Sequence, residues 1–222
     1  MLVVASVKGQ NTSWIDGLDW EKTIMVPEPP LRNKGREANM YLAYIIDNYD
    51  NLHDITAFTH HHSTAWHIDA PAKSNAEMLS HLRLSYVQEE GYVSFRCGNI
   101  PGGCDKFLRP FESNETTMMN YPKAYEYMFN ATAPEVLAAP CCAQFAVAKS
   151  HILSRSKEDY KRYHQWLMDT ELEDKYSGRI FEFLWHIIFG KDHVLCPNTK
   201  ACWCNMYGWC DKGTFFPRSS WL

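Results

Sequence analysis

The sequence predicts a single α/β domain built on a largely parallel or mixed central sheet that helices flank. Its 222 residues fit one large domain. Short runs rich in Val, Ile and Phe alternate with segments of helical periodicity. There is no internal repeat and no Gly/Ser linker, and Gly and Pro number only 11 each. We therefore expect residues 1–222 to form one domain with a cysteine-rich C-terminal tail at 196–210.

Strands are predicted where apolar runs meet turn residues. They are expected over 2–7, 23–26, 54–59, 92–95 and 141–147. The first ends at Lys8 and Gly9, which form a turn, and the second ends at Pro27. The third leads directly into a run of histidines, so polar side chains are expected where this buried strand ends.

Helices are predicted where apolar residues recur every three or four positions. They are expected over about 36–52, 74–91, from 156 onward and over roughly 178–189, with a short one around 121–130. Ser74 with Glu77 forms a capping box, and Ser156 with Asp159 is a second capping signal. The rest of 101–139 is rich in turn residues and predicts a long loop excursion.

Charge and hydropathy exclude some classes of protein. The formal net charge is −4, whereas proteins that bind nucleic acid are usually basic, so the overall charge argues weakly against that class, although a local basic face is still possible. No apolar run approaches the ~20 residues of a membrane-spanning helix. The first strand follows Met1 directly, without the charged and apolar leader of a secreted protein. A cytoplasmic protein with neither a DNA nor a membrane partner is expected.

The eight cysteines leave three states open. The last four have the spacing C-x5-C-x-C-x5-C within the tail. Disulfides or reduced thiols are favoured over a zinc site, because the C-x2-C spacing of common zinc knuckles is absent. Cys141 and Cys142 are neighbours in a predicted strand, and we expect two small buried side chains that point to opposite faces.

The first group of polar residues opens the first long helix. Asn33, Lys34, Gly35, Arg36 and Glu37 follow one another there. The unpaired amides of a helix N-terminus, with two basic side chains beside them, suit a phosphate or a carboxylate. The simpler alternative is a solvated helix start.

The second group follows the 54–59 strand. It comprises His60, His61, His62, His67 and Asp69. Ligands of α/β sheets bind outside the carboxyl ends of strands, and imidazoles can bind metals or move protons. The alternative is a set of hydrogen-bonded loop histidines around a packed tryptophan at position 66.

The third group lies on the last predicted helix. Arg179, Glu182 and His186 fall at i, i+3 and i+7 and form one polar stripe. A partly buried carboxylate there can act as a base or bind a cation. The alternative is a structural ion pair between Arg179 and Glu182.

Taken together, these motifs and several others resemble one family. The others are Leu2-Val3-Val4-Ala5-Ser6, 44–52, Gly91-Tyr92-Val93, 141–147, Leu172-Glu173-Asp174, Ser177-Gly178-Arg179, 185–190 and the cysteine-rich tail. The resemblance extends from residue 2 to about residue 210. The family is largely fungal and has long been catalogued as a domain of unknown function; some of its members are arginine-containing cyclodipeptide synthases.

The resemblance implies a fold similar to that of GT-A nucleotide-sugar transferases. His60-His61-His62 would stand where those transferases carry an acidic metal-binding D-x-D motif. It also implies an enzyme of fungal secondary metabolism that takes arginine from arginyl-tRNA and a second amino acid from another aminoacyl-tRNA. The product would be a cyclo-Arg-Xaa diketopiperazine, and no metal or other cofactor is implied because the aminoacyl ester is already activated.

Roles for individual residues follow from that resemblance as hypotheses. Glu182, with Glu37 or Asp69 as substitutes, would bind the guanidinium group. Proton transfer is assigned to imidazoles of His60, His62 and His186. Lys34 and Arg36 would contact the tRNA acceptor end. The remaining residues assigned to substrate binding are Trp66, His67, Gln144, Arg179 and Trp185.

Two other functions stay open. One is a glycosyltransferase of related fold in a secretory compartment, where its cysteines would form disulfides. The other is a secreted binding protein that disulfides hold together.

Overall fold

A five-stranded mixed sheet forms the centre of the protein, as the computed structural model shows for residues 1–28, 33–97 and 104–210. The strands are β1 (Leu2–Ala5), β2 (Lys22–Met25), β3 (Ile55–His60), β4 (Tyr92–Ser94) and β5 (Phe145–Ala148). Their order is β2-β1-β3-β5-β4. With helices on both faces, this arrangement confirms the predicted α/β class and its mixed sheet.

The direction of the strands creates one edge at which a site can form. β1 runs parallel to both β2 and β3, and Ala5 lies opposite Met25 on one side and His60 on the other. β5 runs antiparallel to β3, so it begins at the edge where β3 ends. β4 is antiparallel to β5 as well, so the carboxyl ends of four strands and the start of β5 meet at the same edge.

The described part of the chain contains nine α-helices. They are α1 (Glu37–Asn48), α2 (Asn75–His81), α3 (Leu84–Glu90), α4 (Thr116–Phe129), α5 (Lys149–Ile152), α6 (Lys157–Asp169), α7 (Asp174–Glu182), α8 (Trp185–Ile188) and α9 (Thr199–Tyr207). Short 3-10 turns cover Ser13–Ile15 and Tyr49–Asn51. None of the described helices is long and apolar enough to cross a membrane.

Several observed helices differ from the predicted segments. The 74–91 helix is two helices, because the chain bends at Leu82 and the Arg83 amide donates to the Met206 carbonyl. The short helix expected at 121–130 begins earlier, where Glu115 accepts the Met118 amide as an N-cap. α9 was not predicted, because the 199–207 segment reads only as a cysteine-rich tail.

The last predicted helix is also interrupted. α7 ends at Glu182, and α8 begins only at Trp185. The amide of Phe183 donates to the carbonyls of Arg179 and Ile180, a tightened last turn that ends the helix. The predicted polar stripe therefore includes Arg179 and Glu182 but not His186.

Two hydrophobic cores lie on the two faces of the sheet. Val3 and Ala5 of β1 pack under the layer that contains α1, α4, α6 and α7. Leu2 and Val4 point to the other face, which α2, α3 and α9 cover. This alternation along one strand is the period of two that a sheet buried on both faces requires.

All eight cysteines are paired, in four disulfides. Cys97–Cys202 connects the segment after β4 to α9, and Cys104–Cys196 connects two loops. The other two bonds are local, Cys141–Cys142 and Cys204–Cys210. Of the three states that the sequence left open, the structure has disulfides, and bonds of this kind persist in oxidising compartments.

Candidate functional site

A cleft of about 770 Å³ opens at the edge where β1 and β3 end. The segment after β1 contributes Ser6 and Val7, and the end of β3 contributes His60, His61 and His62. The opposite wall comes from the start of α1, the end of α7, the start of α4 and the loop before β5. This is the position that strand direction gives to ligand sites in α/β folds, and its volume is that of a typical small-molecule site.

Two histidines on one side of the cleft form a hydrogen-bonded pair. The Nε2 atoms of His60 and His67 lie 2.8 Å apart. The Nδ1 of His60 accepts the backbone N–H of His62 at 3.3 Å. The neutral ring of His60 therefore carries its proton on Nε2 and donates it to His67, which holds its own proton on Nδ1.

The pair is uncharged at neutral pH. Burial, reinforced by the other histidines, lowers the pKa of His60 to about 3. Burial, followed by the charge of Arg96, lowers the pKa of His67 to about 4. Two neutral rings that share a proton in this way hold a fixed orientation in the cleft wall.

Buried polar contacts hold the loop that carries His67. Arg96, which is itself buried, donates from its guanidinium to the His67 carbonyl and lies 5.6 Å from the centre of the Trp66 ring. Asp69 accepts the Cys97 amide at 2.6 Å and the Trp203 indole N–H at 3.1 Å. Asp69 is thus a structural residue of this loop, and it does not line the cleft. Trp66 does line the cleft and is 65% exposed. The alternative interpretation of loop histidines around a packed tryptophan is therefore wrong for Trp66.

The opposite wall carries two carboxylates, Glu37 and Glu182. Glu37 begins α1 and Glu182 ends α7, and a close contact of glycines brings these ends together. A Cβ added at Gly178 would lie 3.0 Å from the Gly35 carbonyl oxygen. Gly35 itself has φ +65°, and a Cβ there would lie 2.3 Å from a methyl of Leu167. The Lys34-Gly35-Arg36 and Ser177-Gly178-Arg179 motifs therefore share one packing function.

The environment of Glu37 and Glu182 favours the protonated form of each carboxyl. Burial, followed by the charge of Glu182, raises the pKa of Glu37 to about 7. Burial also raises the pKa of Glu182, opposed by the Cys142 amide and by the guanidinium groups of Arg179 and Arg36. A cation that enters the cleft would favour full ionisation of both carboxyls.

The Cys141–Cys142 disulfide lines the cleft next to Glu182. The Cys142 amide donates to Glu182 Oε2 at 3.1 Å. Cys142 has φ 87° and Ala143 has φ 43°, left-handed values that end the strand pattern, so β5 starts only at Phe145. The expectation of two cysteines on opposite faces of a strand is wrong, because the bond joins the two neighbours. Their adjacency was the signal in the sequence.

Several residues that the sequence analysis placed in the site lie outside the cleft lining. Lys34 donates to the Leu172 carbonyl at 2.8 Å and lies 3.9 Å from Asp174, so it ties two segments together. Gln144 is buried and accepts the Thr59 hydroxyl.

Trp185 and His186 also lie outside the cleft lining, and both belong to the core. Trp185 is 1% exposed and stacks on Phe189. His186 is fully buried, and its Nε2 lies 3.4 Å from the His193 carbonyl. The proposed proton transfer by His186 is therefore corrected: the helix interruption at Phe183 turns this side chain into the core.

The structure adds residues that sequence reasoning missed. They are Ser6, Val7, Met40, Lys106, Leu108, Glu115, Met118 and Phe183. Three come from 104–115, a loop-rich segment without a periodic pattern. Only the position of Ser6, at the end of the first strand, carried a signal. Among the described residues, no three His, Cys, Asp or Glu side chains are arranged to hold a metal ion.

Comparison with known proteins gives one finding. A family model described as protein of unknown function (DUF3431) matches residues 2–205. Neither the search of curated proteins nor the search of solved structures produced a match.

Proposed function

This chain belongs to the DUF3431 family of proteins of unknown function, and we propose that it is a tRNA-dependent cyclodipeptide synthase. It would join arginine from arginyl-tRNA to a second aminoacyl group and release a cyclo-Arg-Xaa diketopiperazine. The observation that carries the proposal is that two carboxylates, Glu37 and Glu182, lie in the wall of a cleft of about 770 Å³.

The carboxylate pair fits a guanidinium better than it fits an anion. A guanidinium is planar, remains charged at all physiological pH values, and binds carboxylates through two parallel hydrogen bonds. The charge of one ligand cation would offset the burial that favours the protonated carboxyls. Glu182 lines the cleft, and the Cys142 amide orients it by donating to Oε2 at 3.1 Å.

The remainder of the cleft suits the rest of the substrates. Met40, Met118 and Phe183 give it an apolar wall for the second side chain. Arg36 and Arg179 are exposed at the cleft, and they supply positive charge where the phosphates of an acceptor end would lie. A few such contacts suffice for a substrate that the enzyme meets only briefly.

The chemistry is two acyl transfers. The α-amine of one aminoacyl group attacks the ester carbonyl of the other; a C–N bond forms, the C–O bond to the ribose breaks, and the amine proton passes to the ribose oxygen. A second, intramolecular attack closes the ring. The exposed His62, whose ring centre lies 4.9 Å from that of His60, is our candidate for the proton carrier. The fixed His60–His67 pair orients it.

The direct test is expression in a heterologous host followed by mass spectrometry of the culture for cyclo-arginyl dipeptides. The proposal expects a product whose formation in lysate stops after ribonuclease treatment. Glu182→Gln should abolish arginine incorporation, whereas Glu126→Gln, on the exposed side of α4, should retain it. Product that persists after ribonuclease treatment would contradict the tRNA dependence. The reaction places the enzyme in the cytoplasm, where aminoacyl-tRNAs are found.

A second candidate is a glycosyltransferase of a secretory compartment, and two observations favour it. The four disulfides are typical of an oxidising compartment. Three N-x-S/T sequons, at Asn11, Asn114 and Asn130, all place their asparagine at exposed positions outside helices and strands.

Two measurements separate the candidates. Protein purified from its native host should shift in electrophoretic mobility after endoglycosidase treatment if it is secretory. The purified protein should also release nucleoside diphosphate from a sugar nucleotide. A synthase would do neither.

A further inference from the structure

The Cys141–Cys142 disulfide is the feature of the cleft that the synthase chemistry does not use. Both cysteines are half-buried and line the cleft, so a small reductant can reach them. The other three disulfides contribute no residue to the cleft. One of them, Cys97–Cys202, is buried at both ends.

The bond lies in the same backbone segment as the amide that contacts Glu182. It closes a small ring that contains the peptide bond between the two cysteines, and the second residue of that ring has φ 87°. Non-glycine residues rarely adopt this left-handed conformation unless their surroundings impose it. Ala143 follows with φ 43°. The ring includes the N–Cα bond of Cys142, so opening it removes a constraint on the φ of that residue.

The consequence reaches the carboxylate through one hydrogen bond. The Cys142 amide donates to Glu182 Oε2, and this bond favours the charged form of Glu182. Once the backbone relaxes, the amide no longer points at the carboxylate. Glu182 then keeps its proton more readily, and a cation loses its partner.

We propose that Cys141 and Cys142 form a redox modification site that switches the affinity of the cleft for guanidinium ligands. The oxidised form binds them and the reduced form binds them weakly. The role of Glu182 in this switch rests on the proposed function. In the cytoplasm, where disulfides are usually transient and regulatory, such a switch would couple the enzyme to the thiol pool.

The reaction needs a dithiol as reductant. One thiolate of the dithiol attacks a sulfur of the pair, which breaks the Cys141–Cys142 bond and forms a mixed disulfide. The second thiolate of the dithiol then displaces that cysteine and closes the reductant's own disulfide. Two electrons and two protons end on the thiols of Cys141 and Cys142.

The experiment uses the full chain and agmatine, a guanidinium compound without a carboxylate, as the probe. Calorimetry compares oxidised protein with protein treated with limiting dithiothreitol. We expect the reduced form to bind agmatine about tenfold more weakly, the effect of losing one hydrogen bond to a charged group. Cys141→Ala/Cys142→Ala should behave as the reduced form with or without reductant. Cys204→Ala/Cys210→Ala, the matched control for the other local disulfide, should respond as the wild type does.

Alkylation and peptide mapping of the same samples provide a separate readout. Cys141 and Cys142 should be labelled before the six other cysteines. If peptide mapping shows that Cys141 and Cys142 are reduced but the affinity for agmatine is unchanged, the switch is overturned and the proposed guanidinium site stands. If the oxidised protein does not bind agmatine, both the proposed function and the proposed redox switch are contradicted. If Cys141 and Cys142 stay oxidised while other disulfides are reduced, the proposed redox site is overturned, regardless of the affinity for agmatine.

Discussion

Replacing Glu37 by Gln should make the stability of the protein less dependent on pH between about 5 and 8. In the folded protein, burial and the charge of Glu182 raise the pKa of Glu37 from its ordinary value of 4.5 to about 7. Between those two values the folded protein binds more protons than the unfolded chain. Wild-type stability therefore falls as the pH rises through this interval, and the fall ends above about 7.

The size of the effect follows from the pKa difference. One pKa unit corresponds to about 1.4 kcal/mol, so complete burial of Glu37 would give about 3 kcal/mol in the free energy of unfolding. The side chain is partly exposed to the cleft, and solvent screening reduces the expected value to about 1–2 kcal/mol. Glu37→Gln should therefore gain about 1–2 kcal/mol relative to the wild type at pH ~8, and almost nothing at pH ~5.

Urea unfolding followed by tryptophan fluorescence measures the quantity directly. The free energy of unfolding is determined for the wild type and the variant at both pH values, so that the other titrating groups cancel in the double difference. Glu126→Gln, an exposed carboxylate on α4, is the control and should show no pH-dependent difference. If Glu37→Gln shifts stability equally at both pH values, the Glu37 carboxyl is not held in a desolvated site.

Three further outcomes are expected. Agmatine should bind about three- to tenfold more tightly at pH ~8 than at pH ~6. Calorimetry in buffers of different ionisation enthalpy should detect the protons released on binding. An affinity that does not depend on pH would show that agmatine displaces no proton. Gly178→Ala should lower stability by about 1–2 kcal/mol in thermal unfolding, because its Cβ would press on the Gly35 carbonyl, and an unchanged Tm would contradict that close packing. The double variant Cys97→Ala/Cys202→Ala lacks a bond between residues 105 positions apart. Its free energy of unfolding in urea without reductant should be about 2–5 kcal/mol lower than that of the wild type. A loss below about 1 kcal/mol would mean that other contacts hold α9 in place.

Periodicity predicted the features of the fold that depend on local pattern. The first and third strands are apolar and buried, and both end at the edge that carries His60 and Ser6. The start of α1 and the pair Arg179 and Glu182 were also predicted to carry the chemistry, and the structure brings them into one cleft. These residues could be predicted because the ends of helices and strands have characteristic sequences.

The remaining features depend on contacts between distant residues, which no window of sequence contains. His186 continues the helical period of Glu182, yet the tightened turn at Phe183 places it in the core. The approach of Gly178 to Gly35 joins two ends that lie far apart in the chain. The adjacency of Cys141 and Cys142 could have indicated a bond between them, but the predicted strand placed their side chains on opposite faces.

The most direct test of the central claim is a reaction of purified protein with isotopically labelled arginyl-tRNA and a mixture of other aminoacyl-tRNAs. Mass spectrometry should detect a labelled cyclo-arginyl dipeptide with the wild type and with Glu126→Gln, and none with Glu182→Gln. Recovery of all the label as free arginine or intact arginyl-tRNA with the wild type would contradict the proposal that the Glu37–Glu182 cleft is an arginine site of a cyclodipeptide synthase.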